Sequence, residues 1–170
     1  MILNLPQRKS QRLKNYDYSQ NAAYFVTICT QNHLCLFGKI SNETLILNDA
    51  GKMVSDKFAE IPKHYPHIEI IKYVVMPNHL HAILLIQNDE STKGHSATMT
   101  LSEYIRRFKT LTTKLYIEGV KANRYPAFNK RVWQRSYHDH VIRNEADFLR
   151  IYEYIETNPL KWHLDKYYKE

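Results

Sequence analysis

The sequence predicts an α+β fold in which an antiparallel sheet is covered by helices, a ferredoxin-like layer arrangement. Three observations carry this prediction. Runs rich in β-branched and aromatic residues come in close succession around short turns, and stretches with apolar residues at helical spacing lie between them. The chain has 170 residues, 44% of them hydrophobic, enough for one buried core, and no stretch is dilute enough to mark a second domain.

Residues 1–20 carry Arg8, Lys9, Arg12 and Lys14 among polar residues and read as a flexible basic arm, leaving 21–170 as one domain. Tyr24 to Thr30 reads as a strand and Leu34 to Ile40 as its hairpin partner. A helix follows from Asn48, with Ala50, Met53, Val54, Phe58 and Ile61 at helical spacing until Pro62. Ile68 to Met76 and His79 to Gln87 form two further strands, and the short turn at Pro77 and Asn78 makes them an antiparallel pair. Residues 88–99 read as a loop. Thr100 and Glu103 have capping-box spacing and open a helix striped by Leu101, Tyr104, Ile105, Phe108, Leu111 and Leu115. Beyond a basic connector over 117–131, Val132 to Ile142 reads as a strand. Asn144 then caps a last helix that stops near Asn158 and Pro159.

Lys and Arg number 24 against 17 acidic residues, so the net charge of +7 favours a polyanionic partner. Cys29 and Cys35 have no CxxC spacing and no further cysteine to pair with, which argues against a disulfide framework or a zinc ribbon and fits a reducing cytosol. The longest purely apolar run, Ala82 to Ile86, is far short of a membrane span. A soluble, intracellular protein is expected.

The sharpest local feature is His79-Leu80-His81, directly after Pro77-Asn78 at the start of a strand. Alternate residues of a strand point the same way, so both imidazoles project from one face and offer two nitrogen ligands to one ion, while Leu80 enters the other face. On the last helix, at roughly 100° per residue, Phe148, Ile151, Tyr152 and Ile155 share the core face, whereas Asp147, Arg150, Tyr154 and Asn158 line a polar face.

The string from Tyr73 to Ile86, with its hydrophobic residue between the two histidines, resembles the HUH signature of the REP-associated tyrosine transposases, a branch of the single-tyrosine, IS200-like transposases. Val132-Trp-Gln-Arg-Ser-Tyr-His-Asp-His-Val-Ile-Arg-Asn144 and Asp147-Phe-Leu-Arg-Ile-Tyr-Glu-Tyr-Ile-Glu-Thr-Asn-Pro-Leu-Lys-Trp162 match two further strings in the family's order. The resemblance implies an HUH endonuclease-type fold and a nucleophilic tyrosine at Tyr154, with Tyr152 as the alternative. It implies a divalent metal, Mg²⁺ or Mn²⁺, at His79 and His81. It further implies single-stranded DNA bearing a hairpin as partner, cleaved and rejoined through a 5′-phosphotyrosine, in a cytoplasmic, nucleoid-associated protein with no membrane contact. Relatives act as monomers or as dimers, and a homodimer stays open here.

Asn158 lies four residues after Tyr154, on the same helical face. Relatives outside the REP-associated branch place a glutamine there, so Asn158 is a candidate third metal ligand and, equally, a helix stop before Pro159. His138 and His140 form a second H-x-H, read as surface or DNA-contacting residues in preference to ligands. Arg106, Arg107, Lys109 and Lys114, off the apolar stripe of their helix, and Arg131, Gln134 and Arg135 are candidate DNA contacts. The rival reading from another class is a non-catalytic single-stranded nucleic-acid-binding module.

Overall fold

A computed structural model describes residues 21–87 and 100–169. The basic arm and the 88–99 loop expected from the sequence lie outside the described residues. In chain order the elements are β1 (Ala22–Cys29), β2 (Gly38–Ser41), β3 (Thr44–Leu47), α1 (Asp49–Ala59), a one-turn α2 (Ile61–His64), β4 (Ile68–Val75), β5 (His79–Ile86), α3 (Leu101–Lys121), β6 (His138–Ile142) and α4 (Glu145–Thr157), followed by a 3₁₀ turn at Trp162–Leu164. The main sheet has the order β4-β5-β1-β6 with every neighbouring pair antiparallel. This is a ferredoxin-like α+β fold: β1 and β4 are separated by β5, and β5 and β6 by β1, the split arrangement that follows from two interlocked strand-helix-strand units.

Alternation along β5 assigns the two faces of the sheet. Leu80, Ala82, Leu84 and Ile86 enter a large core with Val54 and Phe58 of α1 and Tyr104, Ile105 and Phe108 of α3. Ile83 points the other way, into a smaller cluster with Ile151 and Ile155 of α4. Each fully buried aliphatic side chain of this kind stabilises the fold by roughly 1.5–3 kcal/mol. His79 and His81 share the parity of Ile83, so they lie on the α4 face.

The caps predicted at Thr100 and Asn144 form, and Asn48 caps α1 as well. Asn48 Oδ1 accepts from Gly51 N at 2.9 Å, Thr100 Oγ1 from Glu103 N at 3.3 Å, and Asn144 Oδ1 from Asp147 N at 2.8 Å. Gly51 sits where a Cβ would collide with the Phe37 carbonyl oxygen, and so lets α1 dock against the chain that follows β1.

Three expectations are corrected. Leu34 to Ile40 does not pair with β1, because both edges of β1 are taken by β5 and β6. Its end, β2, instead pairs with β3 in a separate two-stranded hairpin. The first helix ends at Ala59, and Pro62 sits within the separate turn α2. Of Val132 to Ile142 only the last five residues are strand. Val132 and Trp133 are buried beside an isolated bridge to Thr30, with the Trp133 indole N–H donating to Thr112 Oγ1 at 3.0 Å.

Candidate active site

The turn that presents the histidines is clamped from several sides. Met76 N donates to His79 O at 2.8 Å across the two-residue connection Pro77-Asn78, while Phe37 N donates to Pro77 O at 3.0 Å. Asn78 is buried, and its amide donates to His33 O at 3.1 Å and Tyr167 O at 2.7 Å. With its Nδ2 donating to two carbonyls, Asn78 Oδ1 is left as acceptor for His79 Nδ1–H at 2.8 Å. That bond fixes the tautomer, so His79 Nε2 carries a lone pair. It is buried and has no hydrogen-bond partner.

His81 stands directly across the ladder from Thr27, and its Nδ1 lies 2.8 Å from Thr27 Oγ1. The two imidazole centroids are 4.3 Å apart. Burial holds both rings neutral by pushing their pKa values well below the ordinary 6.5. Tyr154 meets this pair from α4. Its hydroxyl is 3.2 Å from His81 Nε2 and donates to Asp165 Oδ2 at 2.9 Å. Burial, followed by the Asp165 charge and hydrogen bond, pushes the Tyr154 phenol above its usual range.

Asp165 is the residue that sequence reasoning missed. Its Oδ2 also accepts from Asn158 Nδ2 at 2.7 Å, and its Oδ1 from Tyr167 N at 2.7 Å. Ligand atoms of His79, His81 and Asp165 all lie within 4.8 Å of one another. The segment carrying Asp165 packs on the histidines through Trp162 and Tyr167, whose rings are 6.0 and 4.9 Å from the His79 ring. The one available signal was an acidic residue close behind the Asn-Pro that ends α4.

Asn158 is buried and holds its amide nitrogen on Asp165, which leaves its Oδ1 buried without a partner. Tyr152, the alternative nucleophile, points elsewhere: it packs by Phe148, with the Lys72 ammonium 4.7 Å from its ring centre. His138 and His140 pair with Thr27 and Phe25 across the ladder, so they share the His81 face. His140 Nε2 contacts Asp147 Oδ2 at 2.6 Å, and the His138 ring is 6.3 Å from that of Tyr167.

The candidate DNA contacts fall into two groups. Arg106, Arg107 and Lys114 line a groove of about 430 Å³ between α3 and the α1–α2 region. α3 packs on the sheet face opposite His79. Lys109 is turned inward, where its ammonium donates to the carbonyls of Gln134 and Ser136 at 2.8 Å each. Gln134 lies nearer the histidines, with Nε2 3.1 Å from His33 Nε2 and the His33 ring stacked 5.3 Å from Tyr167. Arg131 and Arg135 are exposed on the same connector.

A buried lone pair on His79, a second imidazole beside it and amide and carboxylate oxygens within the same network make a donor set that fits a divalent cation. Fold and site together describe an antiparallel-sheet protein with a paired-histidine site beside an exposed tyrosine. The sequence profile described as Transposase IS200 like matches residues 25–158, and the chain belongs to that family. An uncharacterised protein of Haemophilus influenzae is 38% identical over 95% of this chain and 93% of its own length. A second protein of that organism, described as a REP-associated tyrosine transposase, is 24% identical over 88% of this chain and 77% of its own. Among solved structures, a REP-associated tyrosine transposase bound to a REP hairpin superposes with a TM-score of 0.59 at 20% identity, covering 91% of this chain and 76% of that one. A Deinococcus radiodurans protein described as a transposase gives 0.51 at 16% identity, over 86% and 95%. At these identities the two structures establish the shared fold.

Proposed function

We propose that this transposase-family chain binds hairpin-bearing single-stranded DNA, cleaves it through Tyr154 and rejoins the ends. The observation that carries the reading is the convergence of Tyr154 on the buried histidine pair. Of the hydroxyl and thiol groups near the pair, Thr27, Cys29 and Tyr167 are buried, whereas Tyr154 brings a partly exposed hydroxyl to 3.2 Å from His81 Nε2.

His79 and His81, through their Nε2 atoms, and Asn158, through its unpartnered Oδ1, would hold the ion. Mg²⁺ or Mn²⁺ bound there would polarise the scissile phosphate. Thr27 and Asn78 keep both rings oriented by hydrogen bonds to their Nδ1 atoms. Trp162 and Tyr167 cover the histidines and exclude water, while Tyr154, 37% exposed, is the edge at which a phosphodiester can approach. A phosphotyrosine keeps the energy of the broken bond, so the cut is reversible onto another DNA end without ATP. Arg131, Gln134 and Arg135 would contact DNA on the site side, and Arg106, Arg107 and Lys114 on the far side. The relative solved with a REP hairpin supports a hairpin as the partner. No helix among the described residues is long and apolar enough to cross a membrane.

The test is a Mn²⁺-dependent covalent adduct between the protein and a labelled single-stranded oligonucleotide carrying a palindromic stem-loop from the DNA flanking its own gene. The adduct is read on a denaturing gel. Tyr154→Phe loses the adduct while keeping the fold and hairpin affinity, and Tyr152→Phe retains it. Loss in Tyr152→Phe instead moves the nucleophile, and hairpin binding with no adduct in the wild type leaves a binding module.

A further inference from the structure

Attack by a phenol needs a group to take the phenolic proton, and the sequence named none. Two candidate proton acceptors lie within hydrogen-bond reach of Tyr154: His81 Nε2 at 3.2 Å and Asp165 Oδ2 at 2.9 Å. A bound cation would occupy His81 Nε2, and the shorter contact, in which Tyr154 already donates, runs to Asp165. Asp165 is held from two further sides, by Asn158 Nδ2 on Oδ2 and by Tyr167 N on Oδ1. A carboxylate so fixed is oriented toward Tyr154 before DNA arrives. It also lies beyond the family match, which ends at residue 158.

From this geometry we infer that Asp165 is a catalytic residue, the acceptor of the Tyr154 proton, supplied by the segment that follows α4. The inference rests on Tyr154 being the nucleophile. In the step, Tyr154 Oη forms a bond to phosphorus as the bond from phosphorus to the 3′ oxygen breaks. The phenolic proton moves to Asp165 Oδ2, and the departing 3′ oxygen takes a proton from water. On rejoining, a 3′ hydroxyl attacks the phosphotyrosine and loses its proton to water, while Asp165 returns its own to the phenol. Asn158 serves both sides of the site, its nitrogen fixing Asp165 and its oxygen left for the cation.

The full-length protein with Asp165→Asn tests this. The asparagine is nearly isosteric yet a far weaker base, so adduct formation with the stem-loop oligonucleotide should slow by roughly 10²–10⁴-fold. Calorimetric Mn²⁺ affinity, hairpin affinity and thermal midpoint should stay near wild type. Asp165→Glu, which keeps a carboxylate, should recover part of the rate. Replacing Tyr154 by 3,5-difluorotyrosine, a more acidic phenol, should accelerate the Asp165→Asn variant more than the wild-type protein, which a merely structural role would not produce.

An adduct rate in Asp165→Asn within about threefold of wild type, or above it, overturns the assignment. So does parallel loss of Mn²⁺ binding, which would make Asp165 a metal ligand, or equal acceleration by the fluorinated tyrosine in both backgrounds. A fall in thermal midpoint large enough to account for the lost rate, with no recovery in Asp165→Glu, overturns it as well. Failure of the underlying reading is separate: it shows as an adduct that survives Tyr154→Phe in protein with Asp165 intact.

Discussion

His79 and His81 leave water on folding, and burial keeps both rings neutral far below their ordinary pKa of 6.5. The unfolded chain, by contrast, protonates them as pH falls through that value. Their contribution to stability is therefore complete above about pH 6.5 and is lost as pH drops below it, by at most about 1.4 kcal/mol per pH unit for each ring. Without added metal, the thermal midpoint of the wild-type protein should fall more steeply between pH 6.5 and 4.5 than that of His79→Gln/His81→Gln. Equal slopes would mean that the buried pair does not titrate on unfolding. These histidines were legible in the sequence because strand alternation alone places His79 and His81 together and sends Leu80 the other way. Asp165 was not. It sits in a short segment with no periodicity, and its position is set by tertiary contacts of Trp162 and Tyr167 that no local pattern encodes.

At the scale of elements, helix starts were read well because caps are local signals, and Thr100 and Asn144 each accept the expected backbone N–H. By contrast, α3 runs on to Lys121 where a connector from 117 was expected, and its stripe residue Leu111 is exposed. The strands were read less well because pairing is not local. Leu34 to Ile40 looked like the partner of β1 by adjacency, yet β1 is satisfied by β5 and β6, which lie far along the chain. Lys109 illustrates the same limit. Its place off the apolar stripe of α3 suggested a phosphate contact, but its ammonium ties α3 to the carbonyls of Gln134 and Ser136, and burial pushes its pKa down to about 8. Lys109→Met should therefore lower stability by about 1–3 kcal/mol while changing hairpin affinity little. Arg106→Ala, Arg107→Ala and Lys114→Ala should each reduce the salt dependence of binding by about one unit of slope at near-constant stability. Lys109→Met that weakens DNA binding at an unchanged thermal midpoint would return this lysine to the DNA surface.

Across the whole molecule, the sheet separates the work. One face buries the large core under α1 and α3, and the other carries α4, the histidine pair and the closing segment with Asp165. The site is thereby assembled from distant parts of the chain: β1 gives Thr27, the β4–β5 turn gives Asn78, β5 gives His79 and His81, and α4 and its C-cap give Tyr154 and Asn158. On the proposed function, this assembly joins Tyr154 covalently to DNA. The direct measurement is mass spectrometry of the peptide that retains nucleotide after the Mn²⁺-trapped adduct is digested with protease and nuclease. The nucleotide should be 5′-linked to Tyr154; a nucleotide on any other residue would rule out Tyr154 as the nucleophile.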